Sequence, residues 1–215
     1  MNRKADQTSI DRRALRHLRR ADLRFGELIK QVGPYCPTIT ANPFNTLIGS
    51  IVHQQISMAA ATTIQKRLKA RCPRRRITPA AILALSDDDL RGVGLSRQKA
   101  HYVRSIAEHF ASGALTTRRL RRLSDEDVIA ATTRIVGIGR WTAEMLLIFC
   151  LERPDVWPVD DLGLRKALGR FLGRDDGVDA KSAMAVGDPW RPYRTYACWY
   201  LWRSLESPIL PGVST

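Results

Sequence analysis

Apolar residues recur at three- and four-residue intervals along most of the chain, and a small polar residue stands just ahead of most apolar runs. Leu15, Leu18, Leu23 and Leu28 make one stripe, with Asp11 placed to cap it. Asn42-Pro43 sets a cap and then a proline at the first helical position, which predicts a helix from Phe44 to about Gln55 with Leu47, Ile48 and Ile51 on one face. Ser57 opens a helix to about Arg71, Thr78-Pro79 and Ser86-Asp87 repeat the start signal, and Ser96 opens a helix to about Ala111. Ser124 begins a capping box in which Asp127 stands in for Glu. Helices are predicted over 140–152 and 162–172, with a last pair starting near Asp179 and near Trp190. Strand-like alternation is absent, so the expected class is all-α.

A chain of 215 residues suits one domain or two small lobes sharing a cleft. Hydrophobic residues make up 44%, enough for a buried core. The formal charge of +14, carried mostly by Arg, favours a polyanionic partner, because the guanidinium fork matches phosphate. The basic stretches 71–76 and 118–122 read as solvated faces. Cys36, Cys72, Cys150 and Cys198 have no metal-ligand spacing, and Cys150 and Cys198 read as core. The N-terminus lacks a signal-peptide pattern, and the longest apolar run, Met145 to Leu151, is too short for a bilayer.

Candidate chemistry sits in two segments. In Ile135-Val136-Gly137-Ile138-Gly139-Arg140-Trp141, one helix ends, two glycines turn the chain, and another helix starts at once. Such a start aims backbone N–H groups at what lies before it, and phosphate fits there. The same tripeptide can simply join two helices. Downstream, Asp160 and Asp161 precede the stripe Leu164, Leu168 and Phe171. One carboxylate suffices for a cap, which leaves the other for chemistry.

Together, V-G-I-G-R-W-T-A-E-M-L and P-V-D-D-L-G-L-R resemble the helix-hairpin-helix DNA glycosylase superfamily, most of all its 3-methyladenine DNA glycosylase II (AlkA-like) branch. The stretches F-N-T-L-I-G-S-I-V-H-Q-Q-I-S and W-R-P-Y-R-T-Y-A-C-W-Y-L-W share that likeness, which runs from about Pro43 to Trp202. The resemblance implies a two-lobed helical bundle with the hairpin at the cleft. One lobe would span about 43–152 and the other 1–42 with 153–215. It implies an enzyme that flips an alkylated purine out of double-stranded DNA and hydrolyses its glycosidic bond. Asp161 falls on the family's essential aspartate, with Asp160 as cap or support. Trp141 and Trp202 match aromatic pocket positions. Met145 stands where the best-known relative has an aromatic residue. Gly137, Ile138, Gly139 and Arg140 would meet a DNA phosphate, and Lys99, in a weaker second hairpin-like turn, would touch another. Gln55 lies where the family inserts a side chain into the gap left by the flipped base. Carbonyls of Thr133, Ile135 and Ile138 would share an alkali cation with the phosphate, and no other cofactor is implied. Relatives that also nick DNA carry a lysine at the position of Trp141, so simple base removal is expected.

A non-enzymatic helix-hairpin-helix DNA-binding module is the competing reading. It needs the charge and the hairpin, but not Asp161, Trp141 and Trp202 together. His53 fits either a DNA-facing or a core role. The chain is expected to act as a monomer without a membrane, in the cytoplasm with the bacterial nucleoid or in a nucleus.

Overall fold

The computed structural model describes residues 3–174 and 177–206. Among these residues there are thirteen α-helices, two short 3₁₀ turns and no strand. The chain divides into two compact units, Ile39–Glu152 and the described parts of Met1–Thr38 with Arg153–Thr215.

The first of these units holds α3 (Pro43–His53), α4 (Met58–Arg71), α5 (Pro79–Leu83), α6 (Asp87–Gly92), α7 (Arg97–Ala111), α8 (Thr117–Arg122), α9 (Asp125–Thr132) and α10 (Arg140–Phe149). Seven of these eight helices start on a side-chain cap. Asn42, Ser57, Thr78, Ser86, Ser96, Thr116 and Ser124 each accept the backbone N–H three residues on. The full capping box forms at Ser86 and Asp89. α10 differs: its cap position is Gly139, which has no side chain to close the first turn. α7 packs on α3 and α5, and α10 packs on α3 and α9. Leu47, Ile51, Leu68, Val103, Ile106, Leu120, Val128 and Leu146 are fully buried there. The basic stretch 118–122 is therefore not only a solvated face: it forms α8, and Leu120 anchors it.

The second unit holds α1 (Arg3–Ala21), α2 (Arg24–Val32), α11 (Leu162–Phe171), α12 (Ala180–Gly187) and α13 (Arg194–Ser204). Its core is aromatic. Trp190 meets Trp157 edge-on at 5.3 Å and Phe25 edge-on at 5.0 Å, and Leu164, Leu168 and Tyr200 fill the remaining space. Cys198 is buried in this core and Cys150 in the other unit. Two expectations are corrected. Asp11 lies inside α1 and not at a helix start, and it accepts the Tyr196 hydroxyl at 2.9 Å. The stripe from Leu15 to Leu28 is two helices, because the Asp22 carboxylate accepts the Arg24 N–H at 3.1 Å and turns the chain, leaving Leu23 86% exposed. No described helix is long and apolar enough to cross a membrane.

Candidate active site

In the aromatic unit, the residues before α11 are tied to α13 by a buried ion pair. Arg194, 7% exposed, donates from Nε to Asp155 Oδ1 at 2.7 Å and from Nη2 to Oδ2 at 3.0 Å. Thr195 Oγ donates to the Arg153 carbonyl at 2.7 Å and accepts the Val156 N–H at 2.9 Å. A guanidinium fork bidentate on one carboxylate makes a stiff joint. The chain then turns through Asp161 N–H donating to the Pro158 carbonyl at 2.9 Å, and α11 begins.

Asp161 itself is the cap of α11. Its Oδ1 accepts the Leu164 N–H at 2.6 Å and the Trp202 indole N–H at 2.9 Å. Asp160 is exposed and is not the cap, which corrects the division of roles expected for the pair. One carboxylate can cap and still serve chemistry, because a cap occupies only part of its acceptor capacity. Trp202 is half-buried against the core, and its polar edge holds the carboxylate, a role the aromatic assignment missed. Gly163 completes the arrangement. A Cβ there would stand 3.1 Å from Asp161 Oδ1 and 3.6 Å from Trp202 Nε1, so a larger residue would press on the pair.

In the other unit, the hairpin between α9 and α10 turns through Gly137 at φ +91°. Only glycine takes this angle without strain, and a Cβ there would overlap the Tyr102 ring. Ile138 N–H donates to the Ile135 carbonyl at 3.0 Å, and both isoleucines are buried. The hairpin is thus a rigid platform, and the start of α10 carries N–H groups that no cap closes. Arg140 is engaged with carboxylates, donating to Glu126 at 2.7 Å and to the buried Glu144 at 3.2 Å.

Next to the hairpin, Gln54 Nε2 donates to the Gly137 carbonyl at 3.4 Å. Gln55 follows it, exposed and at φ +55°, an angle that costs a non-glycine residue and that recurs at ligand-contacting positions. Lys99 carries this loop. Its ammonium donates to the Val52 carbonyl at 2.9 Å and the Gln54 carbonyl at 2.6 Å, at the C-terminal end of α3. Desolvation holds its pKa below the usual lysine value. The structure thus gives Lys99 a strut's role toward the loop that follows α3.

Trp141, 44% exposed, walls a cavity of about 810 Å³ together with Thr46, Ser50, His53, Gln54 and Phe149. This size and mixed lining suit a small ligand. His53 is not a core residue. Its Nδ1–H donates to the Gly49 carbonyl at 2.8 Å, which turns Nε2 into the acceptor of the neutral ring. Met145 is half-buried one turn beyond Trp141 and does not line this cavity. Among the described residues no cluster of His, Cys, Asp or Glu is arranged to hold a metal ion.

Residues 48–192 match the HhH-GPD superfamily of base excision DNA repair proteins. The chain is 38% identical over 194 residues to DNA-3-methyladenine glycosylase 1 of Schizosaccharomyces pombe, covering 87% of this chain and 85% of that protein. The solved structure of the S. pombe 3-methyladenine DNA glycosylase Mag1 in complex with abasic DNA superposes with a TM-score of 0.83 at 35% identity, over 91% of this chain and 97% of that one. A DNA-3-methyladenine glycosidase from Bacillus halodurans superposes with a TM-score of 0.81 at 35% identity, over 89% and 88% of the two chains. With more than half its length inside the matched region, the chain belongs to the HhH-GPD superfamily of base excision DNA repair proteins.

Proposed function

We propose that the protein is a monofunctional DNA glycosylase that releases alkylated purines of the 3-methyladenine kind from double-stranded DNA. The observation that carries this reading is the Asp161 carboxylate, fixed at the start of α11 by the Leu164 and Trp202 N–H groups in a chain of this family. A base within a duplex is out of reach, so the nucleotide must be flipped. The uncapped start of α10 takes a phosphate of the distorted strand, and Gln55 fills the space the base leaves. Trp141 offers an indole face to the base. That face attracts cations, and a purine alkylated on a ring nitrogen is one.

The bond that breaks joins C1′ of the deoxyribose to the purine nitrogen, and its electron pair leaves with the base. A cationic purine departs as a neutral one, so the leaving group needs no further proton. Cationic character left on the sugar is stabilised by Asp161, and water adds at C1′ and releases its proton to solvent. Trp141 has no amine and forms no Schiff base, so the product strand is abasic and uncut. No cofactor takes part in this chemistry. An alkali cation at the carbonyls of Thr133, Ile135 and Ile138 would help hold the phosphate. Carbonyl oxygens suit such an ion, and a carbonyl such as that of Ile135, which accepts the Ile138 N–H at 3.0 Å, keeps a second lone pair. The protein acts as a monomer wherever the cell keeps its DNA, in the nucleoid or the nucleus.

Methylated duplex DNA incubated with the protein should yield free base by chromatography, an intact strand until alkali is added, and no protein–DNA adduct under borohydride. Tight binding without base release would establish the DNA-binding module instead.

A further inference from the structure

α3 and α4 supply much of the wall of the cavity that Trp141 borders. Gly49, Ser50 and His53 come from α3, and Met58 and Gln65 from α4. The two helices pack together, and a Cβ on Gly49 would stand 3.3 Å from Gln65 Nε2, so the missing side chain makes room for the Gln65 amide. His53 lies one turn beyond Gly49, and its Nδ1–H donates to the Gly49 carbonyl at 2.8 Å. Tied there, the ring sends its outer nitrogen, Nε2, away from the α3 backbone. His53 and Gln65 therefore flank the same glycine.

Several polar side chains of this lining are already spent. The Thr40 and Thr46 hydroxyls bond each other at 2.7 Å, Ser50 donates to the Thr46 carbonyl at 3.0 Å, and Gln54 donates to the Gly137 carbonyl at 3.4 Å. Two half-buried groups are not. Neither His53 Nε2 nor the Gln65 side-chain amide has a hydrogen-bond partner among the described residues. Polar groups held partly out of water without partners fix the orientation of a ligand when they line a cavity. The apolar part of the wall is open too: Trp141 is 44% and Met58 72% exposed. Apolar faces beside a hydrogen-bonding edge are what a nucleobase presents.

We propose that His53 and Gln65 are the specificity-determining pair of this cavity, and that they select an alkylated adenine over an alkylated guanine by reading its exocyclic amine. Neutral His53 offers a lone pair at Nε2 and has nothing to donate there. The adenine amine has N–H groups to give. A glutamine amide meets adenine at N6 and N7 together, so Gln65 complements the same edge. Guanine carries its O6 carbonyl in place of the amine, and an acceptor then faces an acceptor. Protonating His53 would turn Nε2 into a donor, but it would set a second positive charge beside a purine that alkylation has made cationic. Polar groups left unpaired cost more than matched ones gain, so the pair acts mainly by rejecting guanine. The substrate in this proposal rests on the glycosylase reading; the preference of the cavity for an amine-bearing purine does not.

Duplex DNA methylated with dimethyl sulfate carries both lesions, so one single-turnover reaction reads the release of 3-methyladenine and 7-methylguanine together by chromatography. The wild type is compared with His53→Phe, Gln65→Leu and His53→Gln, and thermal melts confirm folding. His53→Phe also loses the bond to Gly49, so Gln65→Leu carries the test should that variant melt. His53→Phe and Gln65→Leu should each lower the ratio of 3-methyladenine to 7-methylguanine rates by roughly tenfold, the effect of one hydrogen bond to a charged partner. His53→Gln keeps an acceptor and should recover part of the ratio. A structural role, or stacking alone, would slow both releases in proportion, and an unmoved ratio overturns the proposal. Binding of the free bases, followed by NMR at the Trp141 indole N–H, separates this result from the glycosylase reading. A wild type that releases neither base, yet binds free 3-methyladenine more tightly than 7-methylguanine and loses that preference in His53→Phe, would remove the glycosylase assignment and leave the pair standing. No release and no such preference overturns the pair as well.

Discussion

The Trp202 indole N–H donates to Asp161 Oδ1 at 2.9 Å, and the two residues lie 41 positions apart. The bond gives the carboxylate a fixed orientation from a helix other than its own. Replacing Trp202 by Phe keeps a ring and removes the donor. A hydrogen bond to a charged group is worth about 1.5–3 kcal/mol, which corresponds to roughly ten- to a hundredfold in rate if it is lost in the transition state. Single-turnover base release by Trp202→Phe should slow by that factor, with duplex affinity nearly unchanged. Were stacking on the base the residue's only part, Phe would preserve most of the rate.

Asp161 combines a cap and a chemical role, and substitutions separate them. Asp161→Asn keeps a good capping side chain and removes the charge. Its melting temperature should stay close to that of the wild type, while base release falls by a factor on the order of 10² or more. Asp161→Ala should lose the rate and also about 1 kcal/mol of stability. Asp160→Asn and Asp160→Ala, at an exposed position, should leave both quantities nearly unchanged. A dead Asp160→Asn enzyme would reverse the assignment.

How far these roles can be read without coordinates depends on their range along the chain. Caps act over three residues, so Asn42, Ser57, Ser86, Ser96 and Ser124 announce their helices locally, and so does the glycine turn at 137–139. The partners of the carboxylate act over long range. Asp155 and Arg194 are 39 positions apart, and no periodicity links them. Asp160 and Asp161 are equally good caps by residue type; the turn closed by Asp161 N–H on the Pro158 carbonyl decides between them. Lysine beside a glycine turn suggests a phosphate ligand, and sequence reasoning could not foresee that its ammonium also reaches two carbonyls 45 and 47 positions away.

Trp141 is the exposed wall of its cavity, so truncation should cost little stability. Aromatic stacking on a base is worth about 1–3 kcal/mol, or roughly five- to over a hundredfold. Trp141→Ala should lower base release from methylated DNA within that range and leave affinity for undamaged duplex nearly intact. Equal losses on both measures would mean that Trp141 contacts the backbone and not the base.

Gly137 tests the hairpin as a rigid platform. Alanine there must adopt φ +91° and place a methyl group into the Tyr102 ring. Overpacking of this kind costs about 1–3 kcal/mol, and the unsuitable φ adds to it. Gly137→Ala should therefore melt lower and bind duplex more weakly. Gly139→Ala is the control, since Gly139 has ordinary φ and open space around it. It should fold normally, and any loss of binding there reports crowding of the phosphate.

Lys99 distinguishes a strut from a ligand. Its ammonium closes the C-terminal end of α3 and thereby sets the loop that holds Gln54 and Gln55. Lys99→Met keeps the length of the side chain and removes both donated bonds. If Lys99 were a phosphate contact, its loss would make the log–log salt slope of duplex binding shallower by about 0.9. As a strut, its loss should instead leave that slope unchanged and lower stability by about 1.5–3 kcal/mol, since a charged donor is withdrawn from two carbonyls. The disturbed loop should also lower base release, because Gln55 is no longer held at its unusual backbone angle. Thermal melts and anisotropy titrations at three salt concentrations provide both quantities. A shallower slope with an unchanged melt would return Lys99 to the DNA interface.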